Sequence, residues 1–143
     1  MPHPVMFDED DPYLVLLRRV ALAFPDAEEQ IAHGRPGFRA GKYFAWYGGS
    51  TKGSADTRVR YDRALLVLPD ESDRAALAED PRCFAPAYLA PSGWIGLDLA
   101  AGGATAPDDV DWQEVAELLD ASYRQVAGAR RVAALDERGG PAG

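Results

Sequence analysis

The chain has 143 residues, of which 47% are hydrophobic and 27% charged, and it carries a net charge of −8. Those values suit one globular domain with a core of ordinary size and exclude a disordered or fibrous chain. A single cysteine, Cys83, excludes an intrachain disulfide and a thiolate-rich zinc site, which points to a reducing compartment.

Residues 1–11 contain no basic stretch followed by an apolar one, so they predict a flexible acidic leader rather than a signal peptide. No apolar run is long enough to cross a membrane, and the expected location is cytoplasmic. A single domain is expected over residues 12–135. Asp11-Pro12 opens the first helix, aspartate capping the free amides and proline suiting the first helical position. Tyr13, Leu14, Leu16, Leu17, Val20, Ala21 and Phe24 then recur at helical spacing, and Pro25 stops the run. Asp26 to Ala32 is short and acidic and predicts one further helical turn.

From Gly37 the period shortens. Gly37–Ala40, Tyr43–Tyr47, Thr57–Tyr61 and Ala64–Leu68 predict strands, with a tight turn at Gly41-Lys42 and a longer loop over Gly48–Asp56. Connections this short make neighbouring strands antiparallel. A polar helix follows from Pro69-Asp70 to Ala78, broken by Asp80-Pro81. Trp94–Leu99 alternates and predicts a strand with Ile95, Leu97 and Leu99 on one face. Ala100–Pro107 is a small-residue loop. Asp111 and Glu114 stand in capping-box spacing before a helix whose stripe is Val115, Leu118, Leu119, Ser122, Tyr123 and Val126. Residues 136–143 predict a disordered tail. The fold class is therefore α+β. A two-layer sandwich is expected, an antiparallel sheet with the N- and C-terminal helices packed on one face.

Three blocks in the first half carry a family resemblance: Phe24-Pro25-Asp26-Ala27-Glu28-Glu29, His33-Gly34-Arg35-Pro36-Gly37-Phe38-Arg39 and Gly41-Lys42-Tyr43-Phe44-Ala45. Pro86-Ala87-Tyr88-Leu89, Gly93-Trp94-Ile95, Leu97-Asp98-Leu99, Asp111-Trp112 and Ser122-Tyr123-Arg124 continue it in order. Across roughly Pro12 to Ala127 the chain resembles the MmcQ/YjbR family. The resemblance implies a CyaY-like fold and a DNA-binding role, by likeness to a double-wing domain of phage transcription factors. It implies a fold shared with frataxin-like iron proteins as well.

The charge is unevenly placed. Between His33 and Arg63 seven bases face two acids, a local +5, which leaves −13 for the rest of the chain. Arg35, Arg39, Lys42, Lys52, Arg58 and Arg60 lie among Phe38, Tyr43, Phe44, Trp46, Tyr47 and Tyr61, the pairing of cations and rings that nucleic acid requires. Alternating strands would equally place such rings in a core and such cations in water. Two smaller readings accompany this one. His33-Gly34-Arg35-Pro36 suits a turn better than an anion site. Tyr88 and Trp94 suggest a pocket against the last helix, shared with His33, Tyr123 and Arg124, although Trp94 and Tyr123 also suit core anchors with one polar tip.

Catalysis finds little support, because His3 and His33 are the only histidines and no serine or cysteine sits in a nucleophile motif. Gly48-Gly49-Ser50-Thr51-Lys52-Gly53 lacks the spacing of a phosphate loop. The acids Asp8, Glu9, Asp10, Asp11, Asp26, Glu28 and Glu29 form a solvated surface rather than a metal site, and no cofactor is called for. The function expected is a small non-enzymatic module that binds DNA. The alternative is a module that holds a protein or small ligand on its sheet face or in a Tyr88/Trp94 cleft.

Overall fold

The computed structural model describes residues 5–54, 56–101 and 106–139. Helix α1 (Pro12–Ala21) starts where expected: the Asp11 carboxylate accepts the Tyr13 amide proton, with Pro12 in the first turn. Tyr13, Leu14, Leu17 and Ala21 are its buried stripe. The helix ends at Ala21, and Phe24 enters the core from the turn that follows.

The helical turn expected after it is instead an edge strand, β1 (Glu28–Ala32), paired with β2 (Arg35–Ala40). The two-residue connection explains the difference. His33 and Gly34 both have positive φ, 55° and 79°, as a hairpin turn matched to strand twist demands. Strand β3 (Lys42–Ser50) follows through Gly41, whose φ is 81°. The two strands expected next are one, β4 (Arg60–Val67), interrupted by a bulge: from Tyr47 to Gly49 β3 advances two residues while β4 advances four, Leu65 to Tyr61.

Helix α2 (Glu71–Glu79) is capped by Asp70, and a two-residue strand absent from the sequence expectation, β5 (Cys83–Phe84), precedes β6 (Ile95–Asp98). Helix α3 (Trp112–Val126) is capped by Asp111, which accepts from the amides of Gln113 and Glu114. The Glu114 side chain does not close a capping box; both its oxygens accept from Arg82, at 2.8 and 3.1 Å. Gly128, at φ 90°, then turns the chain into α4 (Ala129–Glu137), which places Leu135 fully inside the core. The expected tail thus overlaps a helix, and residues 140–143 lie outside the described residues. The expected leader is laid against the β1–β2 turn from residue 5 onward, with the Met6 amide donating to the Gly34 carbonyl at 2.9 Å, and residues 1–4 lie outside the described residues.

The six strands form one antiparallel sheet in the order β1-β2-β3-β4-β6-β5. One face, with Phe38, Phe44, Ala45, Tyr47, Leu65, Val67, Ile95 and Leu97, packs against Leu14, Leu17, Val115, Leu119 and Tyr123 of the helices. Phe44 and Ala45 both turn inward because Phe38 pairs with Ala45 and Arg39 with Tyr43, leaving Phe44 as the extra residue of a bulge. On the opposite face rings lie on glycines: Tyr43 and Trp46 crowd the position a Cβ on Gly37 would take, and the Phe84 ring does so at Gly96. The architecture is the α+β sandwich that the periodicities predict.

Two buried polar contacts lock helices to sheet. Tyr47 donates its hydroxyl to Asp11 Oδ2 at 2.5 Å, tying the cap of α1 to β3. Ser122 donates to the Phe44 carbonyl at 2.5 Å and accepts from the Leu68 amide at 3.0 Å, fastening α3 at the bulge. Ser122→Ala leaves both backbone groups without a partner, so it lowers unfolding stability by about 1–3 kcal/mol in urea titration. An unchanged midpoint would contradict this role for the hydroxyl.

Candidate functional site

The six cations singled out in the sequence do not share one place. Strand β3 spans about 26 Å from Lys42 to Ser50. Arg39 and Lys42 stand at one end of it, while Lys52, Arg58 and Arg60 stand at the other, where β3 passes into β4.

Three of the six are already engaged. Arg35 is 9% exposed and lies across Gly48, where a Cβ would collide with its guanidinium. Its Nη2 donates to Asp62 at 3.3 Å, its Nη1 is buried without a partner, and burial pulls its pKa below the ordinary value. Arg39 donates to Gln30 Oε1 and the Gly41 carbonyl, stands 3.7 Å from Glu28 and lies over the Tyr43 ring. Arg60 donates to Asp62 at 2.6 Å. Lys42, Lys52 and Arg58 are exposed and, among the described residues, have no carboxylate partner.

Lys52 and Arg58 belong to an arm built from the β3–β4 hairpin. Beyond its last strand pair, Ser50 with Arg60, the Thr51 amide donates to the Val59 carbonyl and the Val59 amide to Thr51 Oγ1, both at 2.9 Å. The tip closes through the Ser54 amide on Thr57 Oγ1 and the Arg58 amide on the Ser54 carbonyl. Strand β6 accompanies β4 only over Ala64–Val67, so the arm extends past the paired region.

A second segment meets the arm. After β5, three places from β3 in the sheet, the chain returns far enough for the Ala87 amide to donate to the Ser50 carbonyl at 2.7 Å. The next residue, Tyr88, is 96% exposed and has φ 68°, a backbone region that costs a non-glycine residue about 1–3 kcal/mol. A residue so exposed gains almost nothing from burying its ring. Ser50 leads into the arm that carries Lys52 and Arg58, so the exposed ring and the two exposed cations belong to the same end of the sheet.

The pocket residues suggested by the sequence are dispersed. His33 is in the β1–β2 turn. Tyr123 is fully buried, its hydroxyl donating to the Pro25 carbonyl at 2.7 Å. Arg124 is held by Asp136 and Asp120 at 2.8 and 2.9 Å, and these partners raise its pKa. Trp94 alone lines a groove, of about 210 Å3, with Arg74, Phe84 and Cys83. Arg74 escaped the sequence reading because it sits in a polar helix, where an arginine is expected to face water.

The acids are also engaged: Glu9 and Glu29 with Arg18, and Asp26 with Arg130 and Arg131. Among the described residues no group of three or more His, Cys, Asp or Glu is placed to hold a metal ion, and no helix is long and apolar enough to cross a membrane. Burial, with Asp80 nearby, pushes the Cys83 thiol up to about 11, so it stays protonated near neutrality. Iodoacetamide at pH 7.5 should therefore alkylate Cys83 far more slowly than it alkylates free glutathione. Equal rates in the folded protein would contradict that environment.

No curated protein and no solved structure is a match to this chain. A family model described as YjbR matches residues 22–125, which takes in every strand of the sheet and nearly all of α3. The chain belongs to the YjbR family.

Proposed function

We propose that this chain is a small, non-enzymatic binding module whose partner is single-stranded DNA, gripped at the end of the sheet where the β3–β4 arm meets Tyr88. One observation carries the reading: two exposed cations, Lys52 and Arg58, which have no carboxylate partner among the described residues, stand at the same end as a tyrosine that is 96% exposed. Phosphates would pair with Lys52, Arg58 and the outer side of Arg60, and an unpaired base would stack on the Tyr88 ring. A ring of this kind serves a splayed base better than a paired one, which favours single strands over duplex.

The net charge of −8 does not oppose this. Charges farther away than about 10 Å are largely screened at 0.1 M salt, while a phosphate at the arm meets its cations directly. Arg35, with its guanidinium buried against Gly48, and Arg39, held by Gln30 and Glu28, are left to the fold. A second reading has one observation in its favour. The stacked pair Tyr43–Trp46, with ring centres 4.3 Å apart, lies half-buried on the sheet face opposite the helices and would suit a protein or a small ligand.

Fluorescence anisotropy with labelled oligothymidylate across a salt series separates these readings. About three phosphate contacts give a slope of log K against log salt near −2. Lys52→Ala with Arg58→Ala should bring the slope to about −0.7, and Tyr88→Ala should weaken binding by about 1–3 kcal/mol at an unchanged slope. Absence of binding at low salt, or a slope indifferent to the double variant, would overturn the proposal. A loss confined to Trp46→Ala would move the site to the sheet face.

A further inference from the structure

The groove beside Trp94 is independent of the arm and has a different chemistry. Helix α2 supplies Arg74 and Ala78, β5 supplies Phe84, and the chain entering β6 supplies Ala90, Trp94 and Ile95. Its volume, about 210 Å3, equals the liquid volume of ~7 water molecules and falls below the range of drug-sized pockets.

Apart from Arg74 the lining is almost wholly apolar, and Arg74 lacks the ion pair that holds many of the arginines here. Arg18, Arg82, Arg124 and Arg131 each have a carboxylate at 3.1 Å or less. Arg74 has none among the described residues, and its Nε is buried without any acceptor. Gly93 makes the placement possible. A Cβ there would come within 2.7 Å of Arg74 Nη2, and the φ of 95° suits glycine. The guanidinium thus lacks a carboxylate, and an anion in the groove would supply one to its outer Nη nitrogens, which lie at Gly93 on the groove wall.

We propose that this groove binds a small planar monocarboxylate, its anionic head paired with Arg74 and its ring or short apolar body against Trp94 and Phe84. A guanidinium offers two parallel N–H donors that match one carboxylate. A phosphate monoester fits less well, because its second charge would be left without a cation in an apolar groove.

Benzoate, with benzamide as its uncharged counterpart of the same shape, tests this in 15N-resolved NMR titrations of the whole chain. The expected result is saturable benzoate shifts at the Gly93 amide and the Trp94 indole N–H, with a dissociation constant in the millimolar range. Benzamide should bind at least about tenfold more weakly, as should benzoate to Arg74→Gln, with Arg74→Lys retaining part of the affinity. Absence of site-specific shifts would overturn the proposal. So would equal affinity for benzamide, which compares ligands on the unaltered protein and needs no variant to fold.

Discussion

All the helical stripes turn to one face of a single sheet, and the rest of the molecule follows from that one-sidedness. Leu14 and Leu17 of α1 and Val115, Leu119 and Tyr123 of α3 converge with Leu135 of α4 on the strands' inward residues. Burying these side chains removes on the order of 2 kcal/mol each from contact with water, which is the main force holding the layers together. Direction comes from the few polar contacts inside, Tyr47 with Asp11 and Ser122 with Phe44 and Leu68. Burial and the Asp11 carboxylate push the Tyr47 hydroxyl far above its ordinary pKa, so it remains a neutral donor.

Among the described residues the opposite face has no helical stripe packed on it and is closed in part by its own rings. Tyr43 stacks on Trp46 above Gly37, and Phe84, above Gly96, stacks on Tyr61 with ring centres 4.1 Å apart. Glycine at those strand positions gives up side-chain packing so that a neighbour's ring can lie flat. This arrangement shelters apolar strand positions without a third layer. At the sheet's ends the β3–β4 arm and the segment after β5 extend beyond the paired strands.

Much of the fold was legible in the sequence because its signals are local. Asp11-Pro12 and Asp111 mark helix starts through side-chain caps, and the stripes of α1 and α3 repeat strongly enough to give their inward faces. The errors lie where local signals are weak or tertiary contacts decide. Acidic residues hid β1, which is a strand because the His33-Gly34 turn folds it onto β2. Two residues are too few for β5 to show a period, and α4, which went unpredicted, runs on into the tail expected from residue 136. The candidate site was less legible still. Lys42 and Lys52 are close in sequence yet at opposite ends of a strand, Arg35 is buried across a glycine of the neighbouring strand, and the segment before Tyr88 is tied to the arm by the Ala87–Ser50 hydrogen bond.

Under the proposed function, partner binding belongs to the arm and Tyr88 rather than to the aromatic sheet face. Mapping backbone amide shifts of 15N-labelled protein as oligothymidylate is added tests it most directly. A continuous set of perturbed amides is expected from Ser50 to Arg60 and from Ala87 to Leu89, with Gly37, Tyr43 and Trp46 unmoved. Shifts centred on Gly37, Tyr43 and Trp46, or no shifts at low salt, would contradict it.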